Sequence, residues 1–229
     1  MKTLLAGCAA ALAWSLCVLP LPAQVAPAGD PVVKVEYTNS NLVPAYWMLL
    51  LHSDGSSHFH SARGNDPSPN HHASGSPIIA APDLDRDVQL SAQFTSRVFL
   101  LARSGKWARD CESHRKVAFQ GWKKLSYSGP EGQGACEFNY SDDKETQAVG
   151  EALVAAANTI IEGARLEMLL QHDRLGLDQE LEYLTEAQHD GRLQQFGAIR
   201  AILSRLADDP AVMDRVRKRA KSLLEKAEE

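Results

Sequence analysis

The sequence predicts an α+β protein: a small disulfide-closed antiparallel β-rich domain with one helix, followed by a four-helix antiparallel segment. Three observations predict it. Up to about residue 142 the chain is rich in Gly, Pro, Ser, Tyr and Trp, and its apolar stretches are short. Beyond that point prolines nearly vanish and apolar residues recur at helical spacing. Two cysteines, Cys111 and Cys136, remain once an apparent export leader is set aside.

The leader comes first. Residues 1–23 read as a cleavable secretory signal peptide: Lys2 is positive, an apolar run extends from Leu4 to Leu19 with Ser15 as its one polar member, and Pro20 and Pro22 end any helix before Ala23. Cleavage after Ala23 or after Ala28 fits the small-residue rule. The run is shorter than the ~20 residues that span a bilayer comfortably. Leu5-Ala6-Gly7-Cys8 has the look of a lipobox, but its apolar run continues past the cysteine; an uncleaved anchor is the other alternative. The expectation is an exported chain, periplasmic or extracellular, with no membrane span after signal cleavage.

Removing 23 of 229 residues leaves 206. Lys2 is the one charge lost, so 23 basic and 29 acidic side chains remain, a net charge of −6. Residues 143–229 carry 12 basic and 17 acidic side chains, hence most of that charge. This balance offers no electrostatic reason to expect nucleic-acid binding. Cys8 and Cys17 leave with the signal. Cys111 and Cys136, an even pair in an oxidising compartment, predict a disulfide; a free catalytic cysteine is the alternative, and no neighbour marks an activated thiolate.

Residues 24–142 form the predicted β-rich domain. Val33, Val35 and Tyr37 alternate with Lys34 and Glu36 as a strand does. Tyr46 to Leu51 is continuously apolar, which predicts a central strand buried on both faces. Asp54-Gly55 predicts a two-residue hairpin turn, pairing Leu51 with His58 and Leu49 with His60. Residues 64–76 read as a polar loop and Asp83–Asp87 as another connection. Ser91 caps a helix to about Arg103 with Phe94, Val98, Leu101 and Ala102 inward. Short β segments follow near Lys116–Gln120, Lys123–Ser128 and Ala135–Tyr140, the last two joined at Gly129-Pro130-Glu131-Gly132.

Residues 143–229 form the predicted helical domain. One helix runs from Lys144 to about His172. Asp178 caps a second, which ends at Asp190-Gly191. Leu193, Phe196, Ile199, Ile202 and Leu206 belong to a third, and Asp209-Pro210 opens a fourth. Short links predict antiparallel neighbours.

Tyr127-Ser128-Gly129-Pro130, Gly134 to Tyr140, Leu166 to Leu170 and Asp173 to Leu177, with the Asp54-Gly55 hairpin, resemble a group of uncharacterised exported bacterial proteins. The likeness covers most of the mature chain. That group has no known activity, so it implies no ligand and no catalytic residue.

The histidines are the main chemical cluster. His58 and His60 share one strand face, where two imidazoles can chelate a divalent metal, and His71-His72 in the next loop can supply a further ligand. His52 falls on the opposite face with the turn so drawn. The competing reading is an exposed strand face and a polar loop with no metal. The run Arg215 to Lys221 reads either as a contact for anionic groups or as cations that complement a helix C-terminus. Tyr46, Trp47, Trp107 and Trp122 read as core or as a groove lining. Asp83, Asp85 and Asp87 lack the glycine and terminal glutamate of a calcium loop.

With no catalytic motif in the sequence, the first expectation is a non-enzymatic binding or interaction protein of the cell envelope or medium, with no cofactor and with another protein or an envelope component as partner. The alternative is a metal-binding protein or metal-dependent hydrolase built on the His-x-His pair. Self-association through the helical segment is a third possibility.

Overall fold

The computed structural model describes residues 29–62, 83–104, 106–108 and 110–227. Residues 1–23, expected to be a signal peptide, and residues 64–76, with His71 and His72 among them, lie outside the described residues. Among the described residues the fold is α+β: one six-stranded antiparallel sheet, five α-helices and a Cys111–Cys136 disulfide with Cα atoms 5.6 Å apart. Among the described residues no helix is long and apolar enough to cross a membrane.

The strands are β1 (Val32–Thr38), β2 (Tyr46–His52), β3 (Ser56–Ala62), β4 (Leu84–Gln89), β5 (Trp122–Gly129) and β6 (Gly132–Phe138), in spatial order β4-β3-β2-β1-β5-β6. Alternation decides their faces. Val33, Val35, Trp47, Leu49, Leu51, Phe59 and Leu125 are buried. Their neighbours Lys34, Met48, Leu50, His58 and His60 lie half-exposed on the other face. β2 is central, but the expectation that it is buried on both faces fails, since Tyr46, Met48 and Leu50 are only partly covered.

The β2–β3 turn is longer by one residue than predicted. Ser53-Asp54-Gly55 forms the loop, Asp54 Oδ1 accepts from Ser56 N at 2.9 Å, and Gly55 takes φ +86°. Leu50 therefore faces His58 and Met48 faces His60. A one-residue slip exchanges the faces, so His52 joins His58 and His60 on the same side.

Two further expectations are corrected. Asp83–Asp87 is no mere connection: Leu84–Gln89 is edge strand β4, paired along β3. Lys116–Gln120 is not a strand. The Asn139 side chain holds that segment, accepting from Gln120 N at 2.6 Å and donating to Ala118 O at 3.2 Å.

The buried face of the sheet packs on α1 (Ala92–Arg103) and on the N-terminal half of α2 (Lys144–His172). Ser91 caps α1 as expected, accepting from Phe94 N, and Phe94, Val98, Leu101 and Ala102 are buried. Gly150 makes the contact with α2 possible, because a Cβ there would lie 2.9 Å from Phe138 Cζ. Leu166, Leu169 and Leu170 of α2 instead join a second core with α3 (Leu177–His189), α4 (Arg200–Asp208) and α5 (Asp214–Lys226).

The helix starts differ from the sequence reading. Asp178 lies in the first turn of α3 rather than at its cap, which is Gly176. A 3-10 turn, Phe196–Ile199, precedes α4. Asp209 caps a turn through Ala211 N, and α5 begins only at Asp214.

Candidate functional site

On the half-exposed sheet face His58 and His60 stand opposite Asp87 and Asp85. His58 Nδ1 lies 2.9 Å from Asp87 Oδ1 and its Nε2 3.3 Å from Asp85 Oδ1, while His60 Nδ1 lies 3.3 Å from Asp85 Oδ2. The two carboxylates so engage three of the four ring nitrogens. Among the described residues no group of three or more His, Cys, Asp or Glu side chains is arranged to hold a metal ion. Trp47 and Trp107 are core, whereas Trp122 is 42% exposed. Cys111 and Cys136 are joined to each other.

The basic run on α5 is occupied by acids. Arg215 Nε lies 2.9 Å from Asp178 Oδ2, Arg219 contacts Asp178 and Glu182, and Lys218 reaches Asp214 at 2.8 Å.

A large polar concavity lies elsewhere, where the β4–α1 corner meets the α3–α4 link and the end of α5. It measures about 770 Å³. Three cations line it, Arg97, Arg200 and Lys226, together with Gln89, Gln93, Gln188, Gln194 and Gln195; among the described residues no Asp or Glu joins them. Its floor contains Leu90, Phe94, Leu193 and Phe196, all buried.

The link that builds this cleft is tied down on both sides. Gly191 ends α3 in the left-handed region (φ +75°), and Arg192 N donates back to Ala187 O. Gln194 N donates to Thr159 Oγ1 of α2 at 3.0 Å. Gln195 is the one non-glycine residue described with positive φ (64°), and its Oε1 accepts from Ser91 N at 2.9 Å. Lys226 Nζ donates to Gln188 Oε1, and Arg200 Nη2 to Ala227 O. Sequence reading missed this site, because its residues come from three separated stretches and share no motif. The recurrence of glutamine is the one signal present.

The same link borders a smaller cleft of about 340 Å³ on its other side, lined by Gln120, Lys123, Glu151, Asn158, Tyr183 and Arg192 among others. Lys123 is 3% exposed, and burial pushes its pKa down against the opposing charges of Glu151 and Glu112.

One buried ionisable pair stands close by. Glu162 of α2 has its pKa raised to about 8, first by burial and then by the adjacent Glu180 of α3, with Arg165 opposing.

Comparison with known proteins finds no matching family model, no matching curated protein and no matching solved structure.

Proposed function

We propose that this chain is an exported binding protein that holds an acidic, extended polypeptide segment of a partner in the 770 Å³ cleft. The observation that carries the reading is the lining of that cleft: Arg97 and Lys226 stand among five glutamines with no described carboxylate, in a chain whose net charge is −5. Cations attract side-chain carboxylates. Carboxamides, each both donor and acceptor, suit the alternating N–H and C=O groups of a peptide backbone. The aromatic rings of the floor, Phe94 and Phe196, are buried rather than presented as the exposed platforms on which sugars stack, which favours a peptide over an acidic glycan. Ser91, the one hydroxyl in the lining, caps α1, so the cleft is equipped to hold a ligand rather than to attack it.

The apolar run at the chain start supports export, and the Cys111–Cys136 bridge fits an oxidising compartment. In the mature chain an oligoglutamate peptide should bind saturably by calorimetry, and Arg97→Glu should weaken it about tenfold. Arg97 is exposed, with no hydrogen bond or ion pair among the described residues, so the substitution leaves the fold alone. Equal binding by the variant, or binding of oligogalacturonate but not of the peptide, would overturn the proposal.

A further inference from the structure

We propose that the smaller cleft, between α2, the start of β5 and the α3–α4 link, is a separate site for a free α-amino acid, with the carboxylate held by Lys123 and Arg192 and the ammonium by Glu151. Its residues are distinct from the cations and glutamines of the larger cleft, so neither proposal depends on the other.

Lys123 makes this a built site. A buried ammonium offers three N–H donors. Asn139 O accepts one at 2.7 Å and Gly121 O another at a long 3.4 Å, which leaves a donor without an acceptor among the described residues. Its one ring contact, with Phe138 at 5.3 Å, takes no hydrogen bond of this kind. In this desolvated wall an arriving carboxylate gains more than it would at the open surface.

Arg192 marks the other end. Its guanidinium lies 5.3 Å from the centre of the Tyr183 ring and gives one N–H to Asp190 at 3.2 Å, out of five. On the α2 wall Glu151 receives Gln147 Nε2 on Oε1 at 2.7 Å, and its Oε2 remains for a ligand. Two cations facing one carboxylate match a molecule that carries both signs close together better than they match a simple anion. Asn158 and Gln120 add neutral donors and acceptors, and Val154, Ala155 and the Tyr183 ring give an apolar wall for a side chain. The volume is at the small end of the range for small-molecule sites.

Calorimetry of the full mature chain with leucine, N-acetyl-leucine and leucine amide tests the assignment. Leucine should bind saturably at one site, and each blocked derivative about tenfold more weakly. Glu151→Gln should weaken leucine while leaving N-acetyl-leucine unchanged, and Arg192→Gln should do the converse with the amide. Both residues are exposed, so these variants read out binding even where the buried Lys123→Met does not fold. Failure of leucine to saturate, or N-acetyl-leucine binding as tightly as leucine, would overturn the proposal; the second result would make the cleft a plain anion site.

Discussion

Glu162 and Glu180 bring two carboxyl groups together between α2 and α3, with one cation to serve both: Arg165 Nε lies 2.9 Å from Glu180 Oε2. Glu162 Oε2 and Glu180 Oε1 are buried without a donor. A proton on Glu162 supplies that donor, and burial first and the neighbouring Glu180 second raise its pKa to about 8.

Stability should therefore fall as the medium becomes more alkaline. Below the ordinary value of 4.5 Glu162 is protonated in both folded and unfolded chains, and its contribution is fully present. Between that value and about 8 only the folded chain keeps the proton, so stability is lost as pH rises through this window. Glu162→Gln retains a donor and removes the titration. The variant should lose most of the decline, on the order of 3 kcal/mol, in urea unfolding measured between pH 5 and 8.5. A wild-type curve flat over that range would refute the pairing. The carboxylates with lowered pKa, such as Glu36 beside Lys34 and Asp214 beside Lys218, act in the opposite direction and lose their contribution only in more acid solution.

Cys111 and Cys136 join the stretch after α1 to β6 across 25 positions of sequence. Replacing both with Ser should destabilise the protein by about 3 kcal/mol, chiefly by freeing the unfolded chain. Thermal unfolding of that variant should match that of the reduced wild type.

Gly163 sits where α2 meets the 3-10 turn before α4, and a Cβ there would lie 2.3 Å from Ile199 Cγ2. Alanine improves helix propensity by about 1 kcal/mol. Ile199 is only 3% exposed and has little room to retreat, so overpacking wins. Gly163→Ala should be net destabilising by about 1–2 kcal/mol in chemical unfolding.

Asp178 ties the first turn of α3 to α5 by accepting both Arg215 and Arg219. Its side chain is 17% exposed, so the pairs are partly shielded from solvent. Asp178→Ala should lower stability by about 1–2 kcal/mol at low ionic strength, and by less in strong salt. Equal losses at both salt concentrations would mean that the residue acts through packing alone.

Much of the architecture was legible in the residues. The alternation at Val33–Tyr37, the Ser91 cap and the apolar stripe of α2 are local patterns, each of which specifies its element without help from distant chain. The disulfide followed from counting cysteines. The histidine face was half legible: the spacing of His58 and His60 placed them together, but a loop one residue longer moved His52 to their side, and periodicity does not state loop length. β4 was missed because Leu84, Arg86 and Val88 alternate too weakly among acids to signal a strand without β3 beside them.

By itself the sequence determined the fold class, the cysteine pair, the helical character of the C-terminal part and the charge balance, because each depends on composition or on neighbours within a few positions. Tertiary structure alone decided the two clefts, the proton held at Glu162 and the neutralisation of the α5 basic run by Asp178, Glu182 and Asp214. These depend on which side chains meet across tens of residues and on how much water is excluded where they meet, and neither quantity is written in any local stretch of the chain.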